Sequence, residues 1–195
     1  MPNGQKARDL ALLDLVDALE PTPFEATVWR AVREGRDPVQ GHPSAGRWDP
    51  GRFDVLYTAL EADGALAEIH FHLSRQPVFP ARIRYRLHEI AVRTNKTLRL
   101  ADMRALARLG VEEARYSEIL YARTQEIGDA AHFLGFDGIL APNARWPCLN
   151  LTLFTDRFAP DDLGSVSSAP VDIAAWGERR SPRRSPRGTY RSSTS

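Results

Sequence analysis

The stretch from Gly46 to Glu68, GRWDPGRFDVLYTALEADGALAE, brings Arg47, the aromatics Trp48 and Tyr57, and Glu68 into one turn–strand–helix unit. Each type has its own chemistry. A guanidinium matches the paired oxygens of a phosphate or carboxylate bidentately. An aromatic face stacks on a flat or cationic ring. A carboxylate stabilises positive charge as it develops in a transition state. Arg30 lies upstream in Thr27–Arg33, where Val28, Arg30 and Val32 share one side of a short strand. A charge between apolar neighbours on one face either reaches the surface or meets an anion, because an unpaired buried charge is costly. On helix geometry alone Glu68 reads as a solvated carboxylate, paired with His72 at i,i+4.

The elements that must position these residues follow from periodicity. Leu10, Leu13, Val16 and, more loosely, Leu12 and Leu19 have helix spacing within residues 6–19, and Pro21 and Pro23 end that helix. Residues 34–46, EGRDPVQGHPSAG, form a Gly/Pro-rich loop, the kind of segment on which ligand contacts concentrate. The turn Asp49-Pro50-Gly51 follows, then a strand in which Phe53, Val55 and Tyr57 alternate. From Ala59 the period becomes helical, with Ala62, Leu66, Ile69 and Leu73 as the buried stripe.

Phe79 to Val92 predicts a strand with Ile83, Tyr85 and Leu87 inward and Arg82, Arg84, Arg86 and His88 wet. Asp102 caps a short helix ending at Gly110. A longer helical region runs from about Ser117 to Leu134, broken or kinked at Gly128 and ended by Gly135. Gly138–Pro142 reads as a buried strand turning at Asn143, and Leu149, Leu151 and Leu153 mark a last strand. Order is expected to fade after Phe158. Residues 177–195 hold six arginines among Ser, Pro and Gly, a disordered composition. The resulting division is 1–24 as an N-terminal helix, 25–158 as the domain, and 159–195 as an extension disordered at least from 177.

Composition narrows the function classes. The chain has 195 residues, 43% hydrophobic, enough for one packed domain and a tail. A net charge of +1 names no partner. The single cysteine, Cys148, excludes an internal disulfide framework and fits a reducing compartment. No apolar run is long enough to span a membrane, and MPNGQKARDL lacks the apolar core of a secretory signal. A soluble cytoplasmic protein is expected. No Cys/His set has metal spacing, since His70 and His72 stand two apart without a third ligand, so no metal is expected. There is neither a P-loop nor a GxGxxG fingerprint, and any nucleotide site must be of another kind.

Several pieces, in this order and spacing, carry a family likeness. They are Trp29-Arg30, Gly46-Arg47-Trp48-Asp49-Pro50, Val55-Leu56-Tyr57-Thr58-Ala59 and Ala65-Leu66-Ala67-Glu68. Later come Gln125-Glu126-Ile127-Gly128-Asp129, Phe136-Asp137-Gly138-Ile139, Pro142-Asn143-Ala144-Arg145-Trp146 and Asn150-Leu151-Thr152-Leu153-Phe154. The chain thereby resembles the RES domain, NAD-degrading toxins paired with Xre-type antitoxins, from about Trp29 to Phe154. The resemblance implies an α+β fold, a compact single domain with mixed sheets around a cleft, similar to ADP-ribosyltransferases. It implies cleavage of the nicotinamide–ribose bond of NAD, with water or phosphate as acceptor. NAD is then a substrate and no cofactor is needed. The alternatives are transfer of ADP-ribose to a macromolecule, or an inactive module binding NAD or nucleic acid.

The family's arginine falls on Arg30 or Arg47 and its glutamate on Glu68. Its serine falls on Asn143, a departure, although Asn both accepts and donates hydrogen bonds. The resemblance makes Glu68, Arg47 and Tyr57 the catalytic candidates and Arg30, Trp48 and Asn143 the ligand-binding ones. Glu68 would stabilise the ribosyl cation, the arginines the pyrophosphate, and Tyr57 would stack on nicotinamide. An antitoxin partner is implied, homo-oligomerisation stays open, and nucleic acid enters only through an antitoxin or the basic tail.

Overall fold

The computed structural model describes residues 7–180. Its longest strand organises the rest. This strand, β3 (Tyr85–Arg99), pairs antiparallel along one edge with β1 (Thr22–Arg33), in a register that sets Val28 opposite Ile90 and Arg30 opposite His88. β2 (Val55–Ala59) touches β1 at Trp29 and Ala59, then pairs antiparallel with β5 (Leu149–Phe154). β5 pairs antiparallel with β4 (Gly138–Pro142), and β4 runs parallel to the end of β3 through Leu98 and Ile139. The order β1-β2-β5-β4-β3 therefore closes on itself through β1–β3. A cleft between two small sheets was expected, but one closed mixed sheet is found. The physical reason is the length of β3: its first half pairs with β6 (Leu163–Val171), leaving its last residues free to take β4.

All five ring strands contribute to one apolar cluster: Val28, Leu56, Ile90, Val92, Leu140, Leu151 and Leu153. A second cluster lies under α1 (Leu10–Asp17), α3 (Met103–Arg108) and α4 (Ala122–Phe133), with Leu12, Val16, Leu106, Ile127 and Phe154. A third joins α2 (Ala62–Ser74) to α5 (Ile173–Arg180) through Leu66, Leu73, Ile173 and Trp176. The Asp102 carboxylate caps α3 by accepting from the Ala105 amide, and Gly110 and Gly135 take positive φ just after their helices, as expected.

Four expectations are corrected. Order does not fade after Phe158, because β6 joins the sheet and α5 packs on α2 as far as Arg180. β6 is exposed along most of its length and is held by main-chain bonds to β3, so no apolar pattern announces it. The extension drawn at 159 thus belongs to the same packed body up to residue 180, and the arginine-rich remainder, 181–195, lies outside the described residues. β3 buries His88, Ile90, Val92 and Thr94, the face expected to be wet, while Tyr85 and Leu87 are half-buried against the α2–α5 cluster. A strand covered on both faces loses the alternation that a half-exposed one displays. Finally, α4 starts at Ala122 and runs through Gly128 unbroken. A Cβ at Gly128 would overlap the Trp48 carbonyl, so that glycine serves close packing of a helix on a loop.

Candidate active site

A cavity of about 380 Å³ opens between β1, β2, α2 and the 42–48 loop. Arg30, Arg47, Trp48, Tyr57 and Glu68 all line it, together with Asn150 and Tyr121. Five of the six residues singled out by sequence are thus brought together. Asn143, the sixth, is buried and outside that lining.

The turn carrying Arg47 is fixed from below. Asp49 is fully buried, and its carboxylate accepts from the amides of Ser44 at 2.5 Å, Ala45 at 3.0 Å and Gly51 at 2.6 Å. Gln125 on α4 donates to the Ala45, Gly46 and Asp49 carbonyls, tying the turn to that helix. The Arg47 guanidinium then rests on two aromatic faces, 4.4 Å from the Tyr116 centroid and 4.8 Å from that of Tyr121. Its hydrogen-bonding edge makes no protein ion pair among the described residues, so the fork is held yet available to a ligand.

Arg30 sits differently. Its Nη1 donates to the Pro38 carbonyl at 2.7 Å and the Gln40 carbonyl at 3.2 Å. It neither simply snorkels nor depends wholly on a ligand, because it ties the 34–46 loop to β1 while facing the cavity. Burial lowers its pKa to about 10, which still leaves it charged at neutral pH.

The Tyr57 hydroxyl accepts from the Trp48 amide at 3.0 Å, and burial pushes its pKa up, so the phenol stays protonated. Gly46 is required here, since a Cβ would come within 2.7 Å of the Tyr57 hydroxyl. Trp48 is only 2% exposed and belongs to the core under α1 and α4. It bounds the cavity chiefly as packing, with little surface of its own to offer.

Glu68 projects from the middle of α2, and its Oε1 accepts from Asn150 Nδ2 at 3.3 Å. Asn150 Oδ1 in turn accepts from Asn143 Nδ2 at 2.8 Å. Asn143 also donates to the Gly64 carbonyl, while its Oδ1 accepts from the amides of Arg145 at 2.7 Å and Trp146 at 3.0 Å. Asn143 is therefore a positioning residue: it fixes the 143–146 turn and orients Asn150 towards Glu68. His72, one turn beyond Glu68, also lines the cavity, and its pKa is lowered by burial against the opposing pull of Glu68.

Asn150, Tyr116, Tyr121 and Gln125 were missed as site residues. Gln125 and Asn150 each open one of the family pieces, and Asn150 is also an amide among leucines in a strand, where Asn is depleted. Nothing in sequence spacing brings Tyr116 and Tyr121 beneath Arg47. A larger cavity of about 520 Å³ lies between α1 and α4, but Arg8 and Arg52 there are both paired to Asp129. Among the described residues no group of His, Cys, Asp and Glu could hold a metal, and no helix is long and apolar enough to cross a membrane.

The α+β domain sets two arginines, a buried phenol and an amide-oriented carboxylate around one cavity, an arrangement chemically able to meet an anion beside a carboxylate. The chain belongs to the RES domain family, whose model matches residues 27–172. It is similar to proteins named NAD(+) phosphorylase MbcT from Mycobacterium bovis and Mycobacterium tuberculosis, at 27% identity over 181 residues, covering 89% of this chain and 97% of each relative. Among solved structures, the M. tuberculosis MbcT–MbcA toxin–antitoxin complex contains a chain that superposes with a TM-score of 0.79 at 25% identity, covering 90% of this chain and all of that one.

Proposed function

We propose that this chain cleaves the nicotinamide–ribose bond of NAD and passes the ADP-ribosyl group to inorganic phosphate, as the toxin of a toxin–antitoxin pair. The observation that carries the reading is the convergence of Arg30, Arg47, Tyr57 and Glu68 on one cavity. The similarity to a protein named NAD(+) phosphorylase, and to one solved in a toxin–antitoxin complex, supports it. The fold is read as a variant of the ADP-ribosyltransferase type, its ring closed by the β1–β3 pairing, and the setting as cytoplasmic.

In this mechanism the pyrophosphate lies against the forks of Arg47 and Arg30, with Arg47 the freer of the two. The Tyr57 ring faces the nicotinamide. As the C1–N bond lengthens, its electron pair goes to the nicotinamide, which leaves neutral, and positive charge grows on the ribose. Glu68, oriented by Asn150, stabilises that charge. An antitoxin covering the cavity mouth would silence the enzyme.

The test is incubation of purified protein with NAD, with and without phosphate, and identification of products by mass spectrometry. Phosphate-dependent release of nicotinamide with ADP-ribose 1″-phosphate is expected. Label transferred from NAD to a macromolecule would establish a transferase instead. NAD left intact under both conditions would overturn the reading.

A further inference from the structure

The proposed reaction has two substrates, and the acceptor needs a place of its own. Glu68, Phe71, His72 and Arg75 recur along one face of α2 at helical spacing. The turn after β4 lays Arg145 over that face, its guanidinium carbon 3.4 Å from the Phe71 centroid. Arg75 approaches the same ring at 5.6 Å. The Arg145 backbone is fixed by Asn143, whose Oδ1 accepts from its amide.

Two features mark Arg145 as more than packing. Its Nε is buried and has no hydrogen-bond partner. Its guanidinium stacks face-on to an aromatic ring and makes no side-chain hydrogen bond or ion pair among the described residues, which leaves its Nη donors to a ligand. Glu68 and Arg47 both lie within electrostatic reach of it. Phe71 lies next to His72 and one turn from Glu68 on α2, and those two line the cavity, so Arg145 sits beside that wall though outside the lining itself. At His72 in that wall the guanidiniums of Arg145, Arg75 and Arg47 act together with the carboxylate of Glu68, an excess of positive charge. A Glu68-centred site for a ribosyl cation does not need that excess. A doubly charged anion approaching past Glu68 does, because the carboxylate would otherwise repel it.

We propose that Arg145, stacked on Phe71 and positioned by Asn143, binds the inorganic phosphate that accepts the ADP-ribosyl group. This rests on the NAD-cleaving reading. The step balances without an added base. One oxygen of hydrogen phosphate supplies the electron pair of the new bond to C1 of the ribose. The C1–N pair leaves with neutral nicotinamide, and the acceptor's own proton stays on the phosphate. Water as acceptor would have to lose a proton, so a seated phosphate dianion is the easier nucleophile here. Sequence offered no reason to single out Arg145 from its neighbours, because its significance lies in the ring beneath it.

The experiment uses the full chain and two variants, Arg145→Met, whose unbranched stem can still cover Phe71, and Arg145→Lys. Phosphate KM is expected to rise about tenfold or more in Arg145→Met, the loss of hydrogen bonds between charged groups. NAD KM is expected to stay within about twofold, and products at fixed phosphate to shift towards ADP-ribose. Arg145→Lys should recover part of the phosphate affinity. Calorimetric titration with inorganic phosphate alone gives a readout independent of turnover, and binding seen in the parent chain should weaken in both variants. Unchanged phosphate KM and unchanged phosphate binding in correctly folded Arg145→Met would overturn the proposal, as would a rise in NAD KM alone. A parent chain that binds phosphate through Arg145 but leaves NAD intact would overturn the function and spare the anion site.

Discussion

Glu68→Gln isolates the charge of one side chain with almost no change of shape. The glutamine oxygen can still accept from Asn150 Nδ2, so the 3.3 Å contact and the relay from Asn143 survive. What disappears is the negative charge facing the ribose. At about 4 Å a full opposite charge is worth ~4 kcal/mol at an effective dielectric of about 20 and ~1 kcal/mol in bulk water. Glu68 is half-buried in a cavity open to solvent, so its contribution lies between these limits. At 1.36 kcal/mol per tenfold the limits correspond to about fivefold and about 10³, and kcat should fall by about tenfold or more within that range, in line with other losses of one charge-stabilising contact. The assay is nicotinamide release by chromatography under saturating NAD and phosphate, with circular dichroism and a thermal melt as controls. The melt should move little, because the one hydrogen bond in question is long and is retained. A correctly folded Glu68→Gln protein that turns over NAD at the parent rate would remove Glu68 from the chemistry and refute the mechanism.

Three further outcomes follow from the same geometry. Arg47→Ala should weaken NAD binding by roughly 10- to 100-fold, the value of hydrogen bonds to a charged group, while the melting temperature drops only by what two aromatic contacts supply; a large loss of stability with intact affinity, measured by calorimetry, would make it a structural arginine. Asn143→Ala removes bonds to Gly64, Asn150, Arg145 and Trp146, and should lower both stability, by about 2–4 kcal/mol in denaturant titration, and kcat; unaltered kcat in the folded fraction would show that Asn150 orients Glu68 unaided. His88 is buried between strands, with its pKa lowered by burial first and then by Arg86 and Arg30. Its contribution to stability is therefore complete above about pH 6.5, the unfolded value, and is lost as pH falls through the lower folded value. Melting temperature should decline on acidification below about pH 6.5, and less steeply in His88→Gln; parallel curves for the two proteins would refute that assignment.

Much of this molecule is legible in one dimension because its causes are local. Proline and glycine punctuate α1, α3 and α4, the apolar period changes at the β2–α2 junction, and the motif pieces around Arg47, Tyr57 and Glu68 stand in a recognisable order. Trp48 illustrates the limit: its motif position suggested a ligand contact, but whether an indole faces a cavity or a core depends on α1 and α4, which pack over it.

What the sequence by itself determined is therefore the set of helices and strands from α1 to β5, the family, and the residues that had to meet. Those follow from steric preference and hydrophobic period, which act between near neighbours. The tertiary structure alone decided that the sheet closes, that β6 and α5 complete the body, and that Asn143 serves Glu68 through Asn150. It also decided that Arg47 lies on two tyrosines and Arg145 on Phe71. The reason is the same in each case. Main-chain pairing at a sheet edge and stacking between distant side chains depend on position in space, and no composition or spacing along the chain records it.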